Sequence, residues 1–160
     1  MLKVGDRLPD ATLKQMTDDG PIDVDINEYC AGKKVVIFAL PGAFTPTCSE
    51  THVPGYVQHA EAIRSKGIDA IACISTADFF VMGAWAKSMN VGDAVDMLAD
   101  GNQAFTSAAG MGIDLSGAGL GNRSNRYVMT VENGVITRLM VEPNAGVADV
   151  SSAESLLAAL

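Results

Sequence analysis

Two apolar runs constrain the fold of this chain more than any other feature. Val35–Leu40 is wholly apolar and ends at Pro41-Gly42, and Ile68–Ser75 is apolar on both of its faces. Runs of this length beside turn residues indicate strands that are buried on both sides. Apolar residues at helical spacing lie between them and end at Lys66-Gly67, which is typical of a helix C-terminus. This strand–helix–strand order predicts a parallel sheet with a helix packed on it.

The rest of the chain supplies further elements of both kinds. They are a helix over 77–89, a short strand over 97–99, a hairpin of 127–132 and 135–141 around Asn133-Gly134, and a last helix opened by a capping box at Ser151–Glu154. We therefore expect an α/β fold in one domain, residues 1–160, whose central mixed sheet has helices on both faces. Sequential β–α–β units followed by an antiparallel hairpin and a helix fit a thioredoxin-like architecture.

Composition narrows the classes of function. The 160 residues include 19 acidic and 11 basic side chains, which give a formal charge of −8. An acidic chain without a basic patch is unsuited to nucleic acid or to an anionic membrane. The first twenty residues lack a signal-peptide pattern, and no apolar run approaches the ~18 residues of a membrane span. Three cysteines without paired short spacing suit a reducing compartment, so we expect a cytoplasmic protein.

Cys48 is the candidate for chemistry. It follows the first buried strand and lies among polar residues where a helix is predicted to begin. Free backbone N–H groups and the helix dipole at such a position stabilise a thiolate. Free cysteines are more often buried and inert, and we expect that state for Cys73, which lies inside a strand. Cys30 ends a short polar segment and is interpreted as incidental.

The order Pro41-x-x-x-Thr45-x-x-Cys48 resembles the active-site motif of peroxiredoxins. Residues 41–55, with Cys48-Ser-Glu-Thr-His-Val-Pro-Gly55, resemble the peroxiredoxin five subfamily in particular. Val4–Pro9 and Arg126–Gly134 are similar to two further segments of that family, so the resemblance covers nearly the whole chain from about residue 3. It implies a thioredoxin-like fold and a thiol-dependent peroxidase that acts on hydrogen peroxide and organic hydroperoxides without a metal or organic cofactor.

The resemblance also implies roles for individual residues. The Cys48 thiolate would attack the peroxide, which the Thr45 hydroxyl and the backbone N–H groups of Thr47 and Cys48 would hold. Arg126 would stabilise charge on sulfur and oxygen, and Pro41 would exclude water. Arg123 is expected to face solvent, but it would replace Arg126 if the loop were shifted.

Three roles are open for His52, which lies four residues after Cys48. It could pair with Cys48 as in a cysteine hydrolase, or bind a metal together with His59. The only other histidine is seven residues away and no second cysteine is near, so a structural hydrogen-bonding role is favoured.

The chain departs from its subfamily in one respect. Many relatives carry a C-terminal resolving cysteine, whereas residues 131–160 contain none and Val150 stands where it would be expected. Unless Cys30 or Cys73 can reach Cys48, an external thiol must reduce the sulfenic acid. Glutathione, a glutaredoxin and a thioredoxin are the candidate reductants.

Two other classes of function share these residues. A thiol–disulfide oxidoreductase would need a Cys-x-x-Cys pair, but Thr45 and Thr51 occupy the positions three residues either side of Cys48. A redox sensor would use Cys48 oxidation as a signal without turnover. The resemblance further implies a homodimer, for which Thr76–Phe80 is our candidate contact because of its two adjacent phenylalanines.

Overall fold

The computed structural model describes residues 1–160, and a seven-stranded mixed sheet forms its centre. The strands lie in the order β2-β1-β5-β4-β3-β8-β9, and β6 and β7 form a separate small hairpin. The strands are β1 Thr12–Thr17, β2 Gly20–Asp25, β3 Lys34–Ala39, β4 Ala70–Ser75, β5 Asp96–Ala99, β6 Gly112–Asp114, β7 Asn122–Ser124, β8 Tyr127–Glu132 and β9 Val135–Val141. The helices are α1 Ile26–Cys30, α2 Val53–Ser65, α3 Phe79–Ser88, α4 Ala104–Ala108 and α5 Ala153–Ala159.

The two apolar runs occupy the middle of the sheet, as their composition predicts. Strand β3 pairs in parallel with β4 and antiparallel with β8, and β4 pairs in parallel with β5. The β8–β9 hairpin turns at Asn133-Gly134, where both residues have positive φ. A strand with neighbours on both sides and helices above and below needs apolar side chains at every position, which explains the unbroken run.

Helices cover both faces of the sheet and create two cores. Side chains of α2, α3 and α5 pack on one face with Val36 and Phe38, whereas α1, α4 and the β1–β2 hairpin pack on the other with Val35 and Ile37. Cys48 and Cys73 belong to the first core, but Cys30 belongs to the second. The sheet therefore separates Cys30 from Cys48.

Some features differ from the expectations, and the small elements α1, α4, β6 and β7 were not predicted at all. The β1–β2 hairpin was not predicted, because its strands are rich in charged and polar residues at the edge of the sheet. The last helix is capped by Ser152, whose hydroxyl accepts from the N–H of Ser155, and not by Ser151. The predicted capping box is therefore wrong: the cap lies one residue later, and the Ser151 hydroxyl instead donates to Glu142 at 2.6 Å.

Candidate active site

The segment before α2 leaves two backbone donors free beside the Cys48 sulfur. The helical turn starts at Pro46, and the first N–H bonded along it is that of Ser49, which donates to the Thr45 carbonyl at 2.9 Å. Proline has no N–H, so only Thr47 and Cys48 carry first-turn N–H groups without an intrahelical acceptor. Cys48 thus lies at the start of the helix as predicted, in the part that favours an anion.

Residues Cys48–His52 form a π-helical segment before α2 continues as a regular helix. The Val53 N–H donates to the Cys48 carbonyl, which gives the wider turn. Pro54 follows at once, and its ring would oppose the carbonyl of Glu50 in a regular helix. A wide turn next to proline relieves this conflict, and such segments often occur at functional sites.

Arg126, the residue before β8, contacts the Cys48 sulfur. Its Nη2 donates to Sγ at 3.1 Å, its Nη1 donates to His52 Nδ1 at 2.8 Å and its Nε donates to the Ala145 carbonyl at 2.9 Å. Only 2% of Arg126 is exposed and none of Cys48 is. Because a guanidinium does not lose its proton in proteins, this geometry holds a permanent positive charge against the sulfur.

His52 is a buried neutral acceptor for Arg126. The guanidinium can only donate and the Ser151 carbonyl can only accept, so Nδ1 carries no proton and Nε2–H donates to Ser151 at 3.1 Å. Burial, together with the charge of Arg126, lowers the pKa of His52 to about 3. Both ring nitrogens already have hydrogen-bond partners, so neither is free to bind a metal ion or to pair with Cys48. The structure also groups no three potential metal-ligating side chains, so the geometry supports the structural role.

The two threonines of the motif hold the backbone around the sulfur. The Thr45 hydroxyl donates to the Gly42 carbonyl at 2.7 Å, and the Thr47 hydroxyl donates to the Gly146 carbonyl at 2.9 Å. Thr45 makes no hydrogen bond to Cys48, but its oxygen retains lone pairs. The hydroxyl can therefore accept a hydrogen bond from a bound hydroperoxide.

The expectation that Arg123 faces solvent is wrong. Its side chain is half-buried, Nε donates to the Leu120 carbonyl at 2.8 Å and Nη1 donates to the Pro41 carbonyl at 3.2 Å. The loop before β7 and the segment after β3 supply these carbonyls, and their proximity could not be read from spacing. Arg126 alone, of the two arginines, contacts Cys48.

A cleft of ≈ 340 Å³ opens above Arg126. Pro41, Thr45 and Thr47 of the motif line it together with an apolar rim from the loop between β6 and β7: Leu115, Ala118 and Leu120. A polar cleft of ≈ 370 Å³, lined by residues such as Lys33 and Asp69, holds none of the predicted site residues. The site residues Pro41, Thr45, Thr47, Cys48 and Arg126 therefore lie together at or below the first cleft.

The other two cysteines are poorly placed for reaction. Cys73 is fully buried in β4, and burial raises the pKa of its thiol well above the usual value. Cys30 is also fully buried, and burial raises the pKa of its thiol to about 12. The burial expected for Cys73 is confirmed.

The sequence predicted no contact between the Cys48 site and the segment from Glu142 to Ser151, yet this segment touches the site repeatedly. It supplies the carbonyls of Ala145, Gly146 and Ser151 to Arg126, Thr47 and His52. Backbone carbonyls leave no signature in residue identity, so only the fold reveals these contacts.

Comparison with known proteins identifies the family. The Redoxin family model matches residues 3–157. The chain is 48% identical to Peroxiredoxin-2E, chloroplastic, of Arabidopsis thaliana, over 99% of this chain and 69% of that protein. The chain belongs to the peroxiredoxins.

Solved structures agree with this assignment. Reduced Prx3 of Vibrio vulnificus in complex with H₂O₂ is 49% identical, with a TM-score of 0.94 and coverage of 99% of each chain. Peroxiredoxin 5 of Alvinella pompejana is 31% identical, with a TM-score of 0.84 over 99% of this chain and 97% of that one. These similarities confirm the predicted thioredoxin-like fold, the five-like subfamily and the enzyme class: the protein is a thiol-dependent peroxidase. No helix in the structure combines the length and apolarity needed to cross a bilayer.

Proposed function

We propose that this peroxiredoxin, acting as one domain of residues 1–160, reduces hydroperoxides at Cys48 in a one-cysteine cycle with an external thiol. The observation that carries the proposal is the 3.1 Å contact of the Arg126 guanidinium with a fully buried Cys48 sulfur at a helix start. A fixed charge there stabilises the thiolate and also the charge that develops on oxygen as the O–O bond breaks.

The chemistry balances without a cofactor. The thiolate attacks the terminal oxygen of ROOH, an S–O bond forms and the O–O bond breaks, and the departing alkoxide takes a proton to become an alcohol or water. Cys48 is thereby oxidised to the sulfenic acid. A reductant thiol then displaces water to form a mixed disulfide, and a second thiol releases Cys48.

Each motif residue has one task in this scheme. The N–H groups of Thr47 and Cys48 donate to the attacked oxygen, and the Thr45 hydroxyl accepts from the peroxide hydrogen. Arg126 stabilises the transition state, and Pro41 covers the sulfur against water. Holding the peroxide in line with the sulfur turns a bimolecular collision into an oriented attack.

The cleft supports hydrogen peroxide and organic hydroperoxides as substrates. Its polar floor carries Arg126 and the two threonines, and its rim presents Leu115, Ala118 and Leu120. An alkyl group on the peroxide gains contact with that rim, whereas hydrogen peroxide needs only the floor.

An external reductant follows from the positions of the cysteines. Cys30 packs on the opposite face of the sheet, and Cys73 is held within β4 by backbone pairing with both β3 and β5. Glutathione, a glutaredoxin or a thioredoxin would therefore reduce the sulfenic acid. The same three free cysteines support a cytoplasmic location, since a reducing compartment keeps thiols free.

A homodimer is part of the proposal. Phe80 is 68% exposed and Phe44 is 56% exposed, and α3 also presents Val81. Phe79 packs against Phe80 with ring centroids 4.4 Å apart. Exposed aromatic side chains around a site favour contact with a second copy, and Thr76–Phe80 remains the candidate segment.

Peroxide consumption tests the proposal. Wild type is mixed in a stopped-flow instrument with hydrogen peroxide or tert-butyl hydroperoxide, and turnover is followed with glutathione, glutaredoxin plus glutathione, or thioredoxin. We expect a reaction far faster than that of free cysteine, turnover with at least one reductant, loss of both in Cys48→Ser and an unchanged oxidation step in Cys30→Ser. Activity in Cys48→Ser would refute the assignment, and fast oxidation without turnover by any thiol would favour a redox sensor.

A further inference from the structure

Glu142 is a buried carboxylate with no cationic partner. Only 4% of the residue is exposed, and no Lys, Arg or His side chain forms an ion pair with it. Three donors meet its Oε2 instead: the N–H of Asp149 at 2.7 Å, the N–H of Ser151 at 2.8 Å and the hydroxyl of Ser151 at 2.6 Å. Burying a carboxylate without hydrogen bonds is costly, so these three donors define where Oε2 lies.

Ser151 connects Glu142 to the active site through hydrogen bonds. Two of its groups bind Glu142, and its carbonyl accepts from His52 Nε2–H at 3.1 Å and from the Tyr56 hydroxyl at 2.6 Å. The residue is fully buried. Since Glu142 fixes the N–H and the hydroxyl of Ser151, it also fixes where the carbonyl of that residue lies.

Glu142 also holds Arg126 directly through the backbone. Its N–H donates to the Arg126 carbonyl at 2.9 Å, just beyond the end of β9. One residue thus anchors the main chain of Arg126 and, through Ser151 and His52, the end of its side chain.

Every link from Glu142 to the sulfur has only one possible direction. The Ser151 carbonyl can only accept, so where Glu142 holds it against His52 the ring must donate from Nε2 and keep a lone pair on Nδ1. That lone pair accepts from Arg126, whose second Nη donates to Cys48. In the other tautomer Nδ1–H would meet the guanidinium donor to donor, and the guanidinium could not keep its place at the sulfur.

We propose that Glu142 is a positioning residue for the peroxidase reaction: it holds the Ser151 carbonyl against His52, which keeps His52 in the Nε2–H tautomer and so aims Arg126 at Cys48. This inference rests on the function proposed for Cys48 and Arg126. It adds a residue that does not touch the reacting atoms and lies outside the Pro-x-x-x-Thr-x-x-Cys motif.

Three variants at one position test the proposal. Glu142→Ala removes the acceptor, Glu142→Asp keeps the charge but withdraws it by one methylene, and Glu142→Gln keeps the length and one acceptor oxygen. Glu132→Ala is the matched control, because Glu132 is exposed at the other end of β8. Stopped-flow oxidation by hydrogen peroxide gives the rate, and NMR of ¹⁵N-histidine-labelled protein gives the His52 tautomer, with His59 as internal reference.

We expect Glu142→Ala and Glu142→Asp to slow oxidation about 10- to 100-fold, the loss that a misplaced catalytic group produces, and to mix the two His52 tautomers. Glu142→Gln should recover most of the rate together with the single Nε2–H tautomer, and Glu132→Ala should match wild type. If Glu142→Ala does not fold, the comparison of the Asp and Gln variants tests the proposal without it.

A wild-type rate or an unchanged His52 spectrum in Glu142→Asp would overturn the proposal. A Gln variant as impaired as the Asp variant would also overturn it, because the side-chain length and the acceptor oxygen would then not be enough to maintain the rate. Failure of the proposed function would look different, since wild type itself would then react with peroxide no faster than free cysteine.

Discussion

The buried neutral His52 makes the stability of the fold depend on pH in a defined window. Its pKa is about 3 in the folded protein, against an ordinary value of 6.5. The unfolded chain therefore binds a proton at a higher pH than the folded chain. The stability that this difference provides is complete above pH 6.5, and it is lost as the pH falls toward 3.

The size of this effect follows from the two pKa values. Between pH 7.5 and pH 5 the free energy of unfolding should fall by about 2 kcal/mol through His52 alone. Most carboxylates titrate at lower pH, so this window is nearly free of their contribution. Urea unfolding at a series of pH values, followed by circular dichroism, measures the change.

His52→Gln supplies the comparison, because Gln can donate to Ser151 and does not titrate. The variant should be less stable than wild type at pH 7.5 but should lose about 2 kcal/mol less on acidification. His59→Gln is the matched control for replacing a histidine by glutamine, since it removes the partly exposed histidine of α2 and leaves His52 in place. Parallel curves for wild type and His52→Gln would refute the argument that His52 is held neutral.

Other perturbations test the remaining parts of the account. Arg126→Ala should slow oxidation of Cys48 by about 10²–10³, the usual loss for one preorganised donor; a wild-type stopped-flow rate would dismiss its role. Thr45→Val keeps the volume and removes the hydroxyl, so it should slow the same step by about tenfold and change the free energy of unfolding by no more than about 1 kcal/mol. Phe80→Ser should shift the protein from dimer to monomer in sedimentation velocity without loss of folded signal, and a monomeric wild type at micromolar concentration would remove the dimer.

Much of the fold was predictable because its strongest signals are local. The apolar runs of β3 and β4 are typical of strands at the centre of a covered sheet, and Asn133-Gly134 is typical of a hairpin turn such as that between β8 and β9. The position of Cys48 followed from the strand before it and the helix after it. The family motif then gave Arg126, 78 residues away, which no local pattern could have joined to Cys48.

The remaining features depend on contacts between distant segments. Only one face of the β1–β2 hairpin packs on the core, and β1 pairs with β5 at a single residue pair. Its residues therefore show little of the apolar pattern of a central strand. Arg123 donates to the carbonyls of Leu120 and Pro41. The Ser151 hydroxyl donates to Glu142 and does not cap α5. Both of these side chains bind a partner in a distant segment instead of water or a local helix end. Which partner is within reach depends on the tertiary structure.

Intact mass after one equivalent of hydrogen peroxide, without reductant, tests the one-cysteine cycle most directly. The account predicts the gain of about one oxygen on Cys48, further oxidation with excess peroxide, and a mixed disulfide at Cys48 when glutathione is present. Wild type and Cys73→Ser should behave alike, because Cys73 is buried within β4. A loss of two hydrogens in wild type that disappears in Cys73→Ser would show an internal disulfide and contradict the one-cysteine cycle.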